Sequence, residues 1–143
     1  MQLKAAFLTA SVAIAAACGG TPQPGDPGYE FNLNGEYAVE FSADDGQSYA
    51  GTMQLTTAPG GAVTGTMSLV SPLSVDGTAE GMIVGAQLEL DVEYFIPDNQ
   101  CGGRAVSSAV IEQGGNMATG TSDISSDDNC AGGPTTAAFT LSR

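Results

Sequence analysis

The sequence contains no histidine and no tryptophan, and only three of its 143 residues are lysine or arginine. Lysine occurs only at Lys4, so the rest of the chain carries Arg104 and Arg143 against 16 acidic residues. Binding to nucleic-acid phosphates needs a basic patch, so this composition excludes a nucleic-acid-binding protein. The chain has no histidine for acid–base catalysis and no lysine beyond Lys4, and we therefore predict that the protein is not an enzyme.

The first eighteen residues have the order of a secretory signal peptide. A short positive start that includes Lys4 is followed by a small, apolar run from Ala5 to Ala17 and then by Cys18. Three alanines before a cysteine resemble the lipobox of bacterial lipoproteins. The resemblance implies a signal peptide at residues 1–17, cleavage before Cys18, and acyl chains on that cysteine. It also implies that the protein is located in the cell envelope. In lipoproteins of Gram-negative bacteria the residue after the cysteine directs sorting, and Gly19 in place of aspartate implies the outer membrane.

Two alternatives remain open for this segment. The first is a transmembrane helix, although the apolar run is shorter than the stretch of about 20 residues that such a helix needs. The second is ordinary cleavage after Ala17, which also fits the small-residue pattern of signal peptidase sites. The cysteine count favours lipidation, because three cysteines in an exported chain leave one unpaired. Acylation of Cys18 leaves Cys101 and Cys130 to form a disulfide in an oxidising compartment.

Glycine and proline dominate the residues that follow the cysteine. Residues 19–28 read GGTPQPGDPG and contain no large apolar side chain. Such a composition favours an extended, semi-rigid linker, so we interpret residues 18–28 as a lipidated cysteine and a tether. The remaining residues, 29–143, have the length of one domain.

The body of the domain alternates apolar and polar residues with the period of two that is typical of half-buried strands. The clearest case is Leu88 to Tyr94, where apolar residues alternate with Glu89, Asp91 and Glu93. Glycine- and proline-rich turns divide the domain regularly. We predict strands at residues 34–43, 48–57, 62–70, 73–83, 86–96, 104–113, 116–124 and 135–142.

Short connections make consecutive strands antiparallel neighbours, so the predicted fold is an all-β, eight-stranded antiparallel up-and-down barrel. In such a meander the odd-numbered turns share one end of the barrel. Cys101 lies in the fifth turn and Cys130 in the seventh, so both should meet at that end and pair. The tether joins the opposite end, and the disulfide-linked loops should therefore face away from the membrane.

The strand pattern from residue 34 onward is similar to that of the lipocalins and their calycin relatives. Gly35-Glu36-Tyr37 stands where lipocalins begin their first strand with Gly-x-Trp. The resemblance implies that Arg143, at the end of the last strand, packs on Tyr37. It also implies a barrel that binds a hydrophobic or amphipathic small molecule.

We predict that such a ligand would contact the apolar interior, while Arg104 would fix an anionic head group at the mouth. The candidate interior residues are Tyr37, Val39, Phe41, Tyr49, Met53, Met67, Leu90 and Tyr94. An alternative is a filled barrel that acts as an envelope or interaction protein, for example an inhibitor, through its distal loops. The acidic rim of those loops lacks the spacing of known Ca²⁺ loops, and we predict a monomer without metal or cofactor.

Overall fold

The computed structural model describes residues 20–128, 130 and 132–143. The described residues form eight β-strands, and one short 3-10 helix, Pro97–Asn99, lies between the fifth and sixth. The strands are β1 (Gly35–Ala43), β2 (Ser48–Thr57), β3 (Ala62–Ser71), β4 (Val75–Val84), β5 (Gln87–Ile96), β6 (Cys101–Ile111), β7 (Met117–Ser126) and β8 (Thr135–Ser142). Within these described ranges, no helix is long and apolar enough to cross a membrane.

Each strand pairs antiparallel with the next, and β8 pairs with β1, so the sheet closes into a barrel in chain order. The closing pair aligns Val39 with Leu141 and Phe41 with Phe139. The predicted all-β fold, the eight strands and the closed up-and-down topology are confirmed. Closure also removes the free sheet edges that would otherwise invite aggregation.

The start of β6 differs from the prediction. Cys101, Gly102 and Gly103 were expected to form a turn, but they belong to the strand and pair with β5. A Cβ added at Gly103 would lie 2.4 Å from the hydroxyl oxygen of Tyr94. Glycine stands here because the tyrosine side chain packs directly against the strand backbone, not because the chain turns.

Glycines on the inner face mark places where neighbouring strands approach closely. A Cβ added at Gly51 would lie 2.0 Å from the carbonyl oxygen of Ser68, and one at Gly65 would lie 1.9 Å from that of Gln54. No side chain fits in that space. The close approach is typical of the bends that let a small barrel close.

The half of the barrel next to the β2–β3, β4–β5 and β6–β7 turns is filled by large side chains. We call this the closed end. Its packed interior contains the largest fully buried side chains of the described residues, which are Tyr37, Phe139, Leu33, Met53, Leu55, Ile83, Leu88, Leu90, Ile111, Leu141, Val39 and Val63. Close packing of this kind accounts for most of the stability of such a domain.

The segment before β1 covers the closed end. The backbone N–H of Leu33 donates to Thr57 Oγ1 at 3.0 Å, and the same hydroxyl donates to the Leu33 carbonyl at 2.9 Å. Nearer the N-terminus, the N–H of Gly60 donates to the Pro24 carbonyl at 3.1 Å. Residues 24–28 therefore do not run as an extended spacer, because turns and hydrogen bonds such as that from the Gly25 N–H to Asn32 Oδ1 hold them against the barrel.

Arg143 lies over Tyr37 at the closed end, as predicted. The guanidinium carbon is 5.0 Å from the centre of the ring, which is the geometry of a cation–π contact. Arg143 Nε donates to Asn116 Oδ1 at 3.1 Å, and its Nη1 donates to the Asn34 carbonyl. Burial raises the pKa of the Tyr37 phenol, and the charge of Arg143 opposes that rise.

Candidate functional site

The other end of the barrel is open and contains a cavity of about 290 Å³. We call this the open end; it carries the β1–β2, β3–β4, β5–β6 and β7–β8 loops. Most of the cavity wall is apolar. The described residues that line it are Phe41, Asp45, Tyr49, Met67, Leu69, Leu73, Val75, Tyr94, Ile96, Ala105, Ile124, Ser126, Gly132, Gly133 and Thr135.

Small residues on one side of the barrel leave the space. Ala105 on β6 faces inward at the level of the cavity, and Gly132 and Gly133 line it from the β7–β8 loop. Phe41 on β1 and Tyr49 on β2 supply aromatic residues from neighbouring strands. Binding cavities for small molecules are generally of this type, mainly apolar with a small number of placed polar groups.

Three polar groups of the cavity, on Tyr49, Tyr94 and Asp45, are placed as hydrogen-bond acceptors, and the hydroxyl residues Ser126 and Thr135 also line the wall. The Tyr49 hydroxyl donates to Gln47 Oε1 at 2.7 Å, and the Tyr94 hydroxyl donates to the Ser125 carbonyl at 2.9 Å. With their hydrogens engaged, both phenol oxygens act as acceptors, and Ser126 Oγ lies 3.4 Å from the Tyr94 oxygen. The Asp45 carboxylate adds further acceptor oxygens at the rim.

Burial raises the pKa of the Tyr49 phenol, and the nearby Asp45 carboxylate and Tyr94 raise it further. Loss of a proton would place a negative charge in an apolar site beside an existing negative charge. Tyr49 therefore stays neutral throughout the physiological pH range. Its ring and its phenol oxygen are constant features of the site.

The structure brings together half of the predicted interior residues. Four of them line the cavity: Phe41, Tyr49, Met67 and Tyr94. The others are Tyr37, Val39, Met53 and Leu90, which are fully or almost fully buried in the packing of the closed end. Their positions are inside the barrel, as expected, but below the level that a ligand in this cavity would reach.

Arg104 does not line the mouth of the cavity, and its predicted position there is wrong. It alternates with the inward-facing Ala105 and so lies on the outer wall. There it makes a two-pronged ion pair with Asp91. The hydrogen bond from Arg104 lowers the pKa of the Asp91 carboxyl. The cavity therefore has no cation supplied by this residue.

The predicted disulfide is present at the open end. Cys101 and Cys130 are bonded with their Cα atoms 5.5 Å apart, inside the expected range of about 4.4–6.8 Å. The bond joins the start of β6 to the β7–β8 loop, which is further held by the Asp127 N–H donating to the Gly102 carbonyl at 2.9 Å. Cys18 and the signal peptide lie outside the described residues, so their lipidation and cleavage stay predictions.

Several contributors to the cavity were missed by the sequence reasoning. Gly132 and Gly133 lie in the β7–β8 loop, where no alternation indicates which residues face inward. Leu73 lies in the predicted strand 73–83 with the same parity as the inward-facing Val75, so the sequence carried a signal for it, although in the structure it precedes β4. Asp45 was assigned only to the rim, and its place on the cavity wall depends on the β1–β2 turn. Among the described residues, no group of three or more histidine, cysteine, aspartate or glutamate is arranged to hold a metal ion.

The fold and the site define a class, a small antiparallel up-and-down barrel that is open at one end and compatible with a lipocalin-like fold. Comparison with protein-family models, with curated proteins and with solved structures finds no significant match to this chain. Function must therefore be argued from the cavity itself.

Proposed function

We propose that this protein is a cell-envelope lipoprotein, anchored through acylated Cys18, whose lipocalin-like barrel binds a small hydrophobic or amphipathic molecule. The observation that carries the proposal is the apolar cavity at the open end. A barrel of eight strands has room either for its own side chains or for one small ligand. Here large side chains fill the closed end, and the open end keeps unfilled space between apolar walls.

The size of the cavity limits the ligand. A volume of about 290 Å³ lies at the lower end of the usual range for small-molecule sites. That space suits a short alkyl chain or a single substituted ring. Burial of eight methylene groups would supply roughly 6 kcal/mol, and the cost of association reduces the net affinity to about the micromolar-to-millimolar range.

The position of the N-terminal segment supports the anchoring part of the proposal. Residues 20–34 lie at the closed end, so a lipid anchor at Cys18 would place this end toward the membrane. The open end would then face away from the lipid surface and accept ligand from the aqueous compartment. Mass spectrometry of the native protein tests the anchor: an acylated N-terminal Cys18 is expected, and an unmodified Cys18 or an N-terminus at Ala5 would contradict it.

Calorimetric titration with octanol, a neutral probe with one eight-carbon chain, tests the binding function. Saturable binding with one site per chain is expected for the full chain. Leu73→Asn places an amide in the cavity wall and should weaken binding about tenfold, equivalent to about 1.4 kcal/mol. Val70→Asn makes the same kind of change on the outer wall, where Val70 is 71% exposed, and should leave binding unchanged.

The alternative is an interaction protein that acts through its distal loops, for example as an inhibitor. The filled closed end and the acidic loops around the mouth favour it. Absence of saturable probe binding, or equal loss in the Leu73 and Val70 variants, would contradict the cavity proposal. The distal loops would then be the better candidate surface.

A further inference from the structure

We infer that the ligand of the open-end cavity is a cationic amphiphile: an apolar chain or ring that carries an ammonium group. The inference rests on the proposed function and assigns the charge of the ligand, which a lipocalin-like fold leaves open. It is argued from the donors, acceptors and charges that surround the cavity.

No basic side chain is available to the cavity among the residues that the structure describes. Arg104 is on the outer wall and paired with Asp91. Arg143 is at the closed end, on the Tyr37 ring. An anionic head group in the cavity would therefore meet no opposite charge, and its transfer from water would be uncompensated.

Three oxygen-bearing side chains of the cavity wall, Tyr49, Tyr94 and Asp45, are placed to accept a hydrogen bond from a ligand. The hydroxyl hydrogens of Tyr49 and Tyr94 are already given to Gln47 and Ser125, so the phenol oxygens are left as acceptors. The Asp45 carboxylate accepts the Gln47 N–H through one oxygen at 2.9 Å. An ammonium group has several N–H donors and a positive charge, and it satisfies both requirements at one position.

Aromatic surface stands beside these acceptors. Tyr49, Tyr94 and Phe41 are all among the residues that line the cavity. Ring faces attract cations, and the attraction increases where water is excluded. The aspartates of the surrounding loops extend the negative potential beyond the mouth, which favours the approach of a cation.

Three ligands with the same chain separate the charge of the head group from the size of the tail. Octylammonium, octanol and octanoate are titrated into the full chain by calorimetry at neutral pH and moderate salt. Octylammonium should bind about tenfold more tightly than octanol, and octanoate about tenfold more weakly than octanol, since one favourable or unfavourable charge contact is worth about 1.4 kcal/mol.

A matched pair of variants separates the local contact from the net charge. Asp45→Asn keeps an oxygen for the Gln47 N–H and removes the charge at the cavity. Glu36→Gln removes one charge from an exposed position of β1 near the closed end. The Asp45 variant should lose about three- to tenfold in octylammonium affinity and nothing for octanol. The Glu36 variant should match the unmodified chain.

The outcomes distinguish the two proposals. Equal affinity for octanol and octylammonium, or tightest binding of octanoate, overturns the cationic assignment and leaves the hydrophobic cavity intact. Equal losses in the two variants also overturn it, because the effect would then come from net charge alone. If none of the three ligands binds, the proposed function fails and the cationic assignment fails with it.

Discussion

Two alanines on β6 provide a direct test of whether the barrel is open at one end and filled at the other. Ala105 and Ala109 both face inward and are both 3% exposed. Ala105 lines the cavity, whereas Ala109 lies four residues further toward the closed end. The same substitution, alanine to leucine, should therefore have opposite effects at the two positions.

At Ala105 the added carbons would enter empty space. Three additional carbon atoms at about 0.8 kcal/mol each give roughly 2.4 kcal/mol of burial, reduced by about 0.5–1 kcal/mol of side-chain entropy. Ala105→Leu should thus be neutral or stabilising by up to about 2 kcal/mol. At Ala109 the same atoms meet a packed interior, so Ala109→Leu should destabilise the protein by about 1–3 kcal/mol.

Urea unfolding followed by circular dichroism measures both values, provided that the slope with denaturant is unchanged between variants. Ala105→Leu should also weaken probe binding, because it reduces the free volume, whereas Ala109→Leu should bind probe normally once folded. Equal destabilisation by the two substitutions would refute the reasoning, since it would mean that β6 is packed equally at both levels.

Three further predictions concern the two ends of the barrel. Arg143→Gln should lower the free energy of unfolding by about 0.5–1 kcal/mol in a urea titration, with Arg143→Lys intermediate, because both the ring contact and the hydrogen bonds depend on the guanidinium; unchanged stability would show that the contact contributes nothing. Replacement of Cys101 and Cys130 by serine should lower the free energy of unfolding by about 3–4 kcal/mol by the loop-entropy model for a separation of 29 residues. A loss below about 1 kcal/mol would show that other contacts constrain the loop when the disulfide is absent. Ultraviolet titration of tyrosinate should show Tyr49 ionising above its ordinary pKa of 10.0, and Asp45→Asn should lower that pKa. Because the raised pKa favours the neutral form of Tyr49 in the folded state, its contribution to stability is complete below pH about 10 and is lost as the pH rises through the folded-state pKa. A Tyr49 pKa that is unchanged in the Asp45 variant would contradict the rim geometry.

The strands were predictable because the sequence repeats one physical requirement. On β5 the residues that face the core, such as Leu88 and Leu90, must be apolar, and those between them must tolerate water. A period of two over ten residues identifies both the strand and its buried face. The predicted strand boundaries are within three residues of the observed ones. The largest error is at the start of β6, where the glycines after Cys101 predict a turn, whereas in the structure Gly103 makes room for the side chain of Tyr94.

The same error explains the misplacement of Arg104. With the turn extended to Gly103, Arg104 is the first residue of the predicted strand 104–113, which places it at the mouth of the barrel. Its alternation with the buried Ala105 places it outside instead. The alternation of inward- and outward-facing residues thus gives the correct position of Arg104, and it can be read from the sequence.

The height of a side chain within the barrel was not predictable from local pattern. Tyr37 and Tyr49 both face inward, yet one plugs the closed end and the other lines the cavity. Height depends on the register of the neighbouring strands and on the direction of each one. The contacts of residues 20–28 were hidden for a similar reason, since the N–H that bonds Pro24 belongs to Gly60, far along the chain.

The pairing of the first strand with the last has a consequence for the order of folding. Seven of the eight strand pairs join neighbours in sequence and require only short loops to close. The eighth pair, β1 with β8, joins residues about a hundred positions apart, such as Val39 and Leu141, so the entropy of loop closure predicts that it forms last. Until it forms, β1 and β8 are both free edges with apolar inner faces, the arrangement most prone to intermolecular pairing. The hazard of aggregation therefore ends in the same event that completes the barrel.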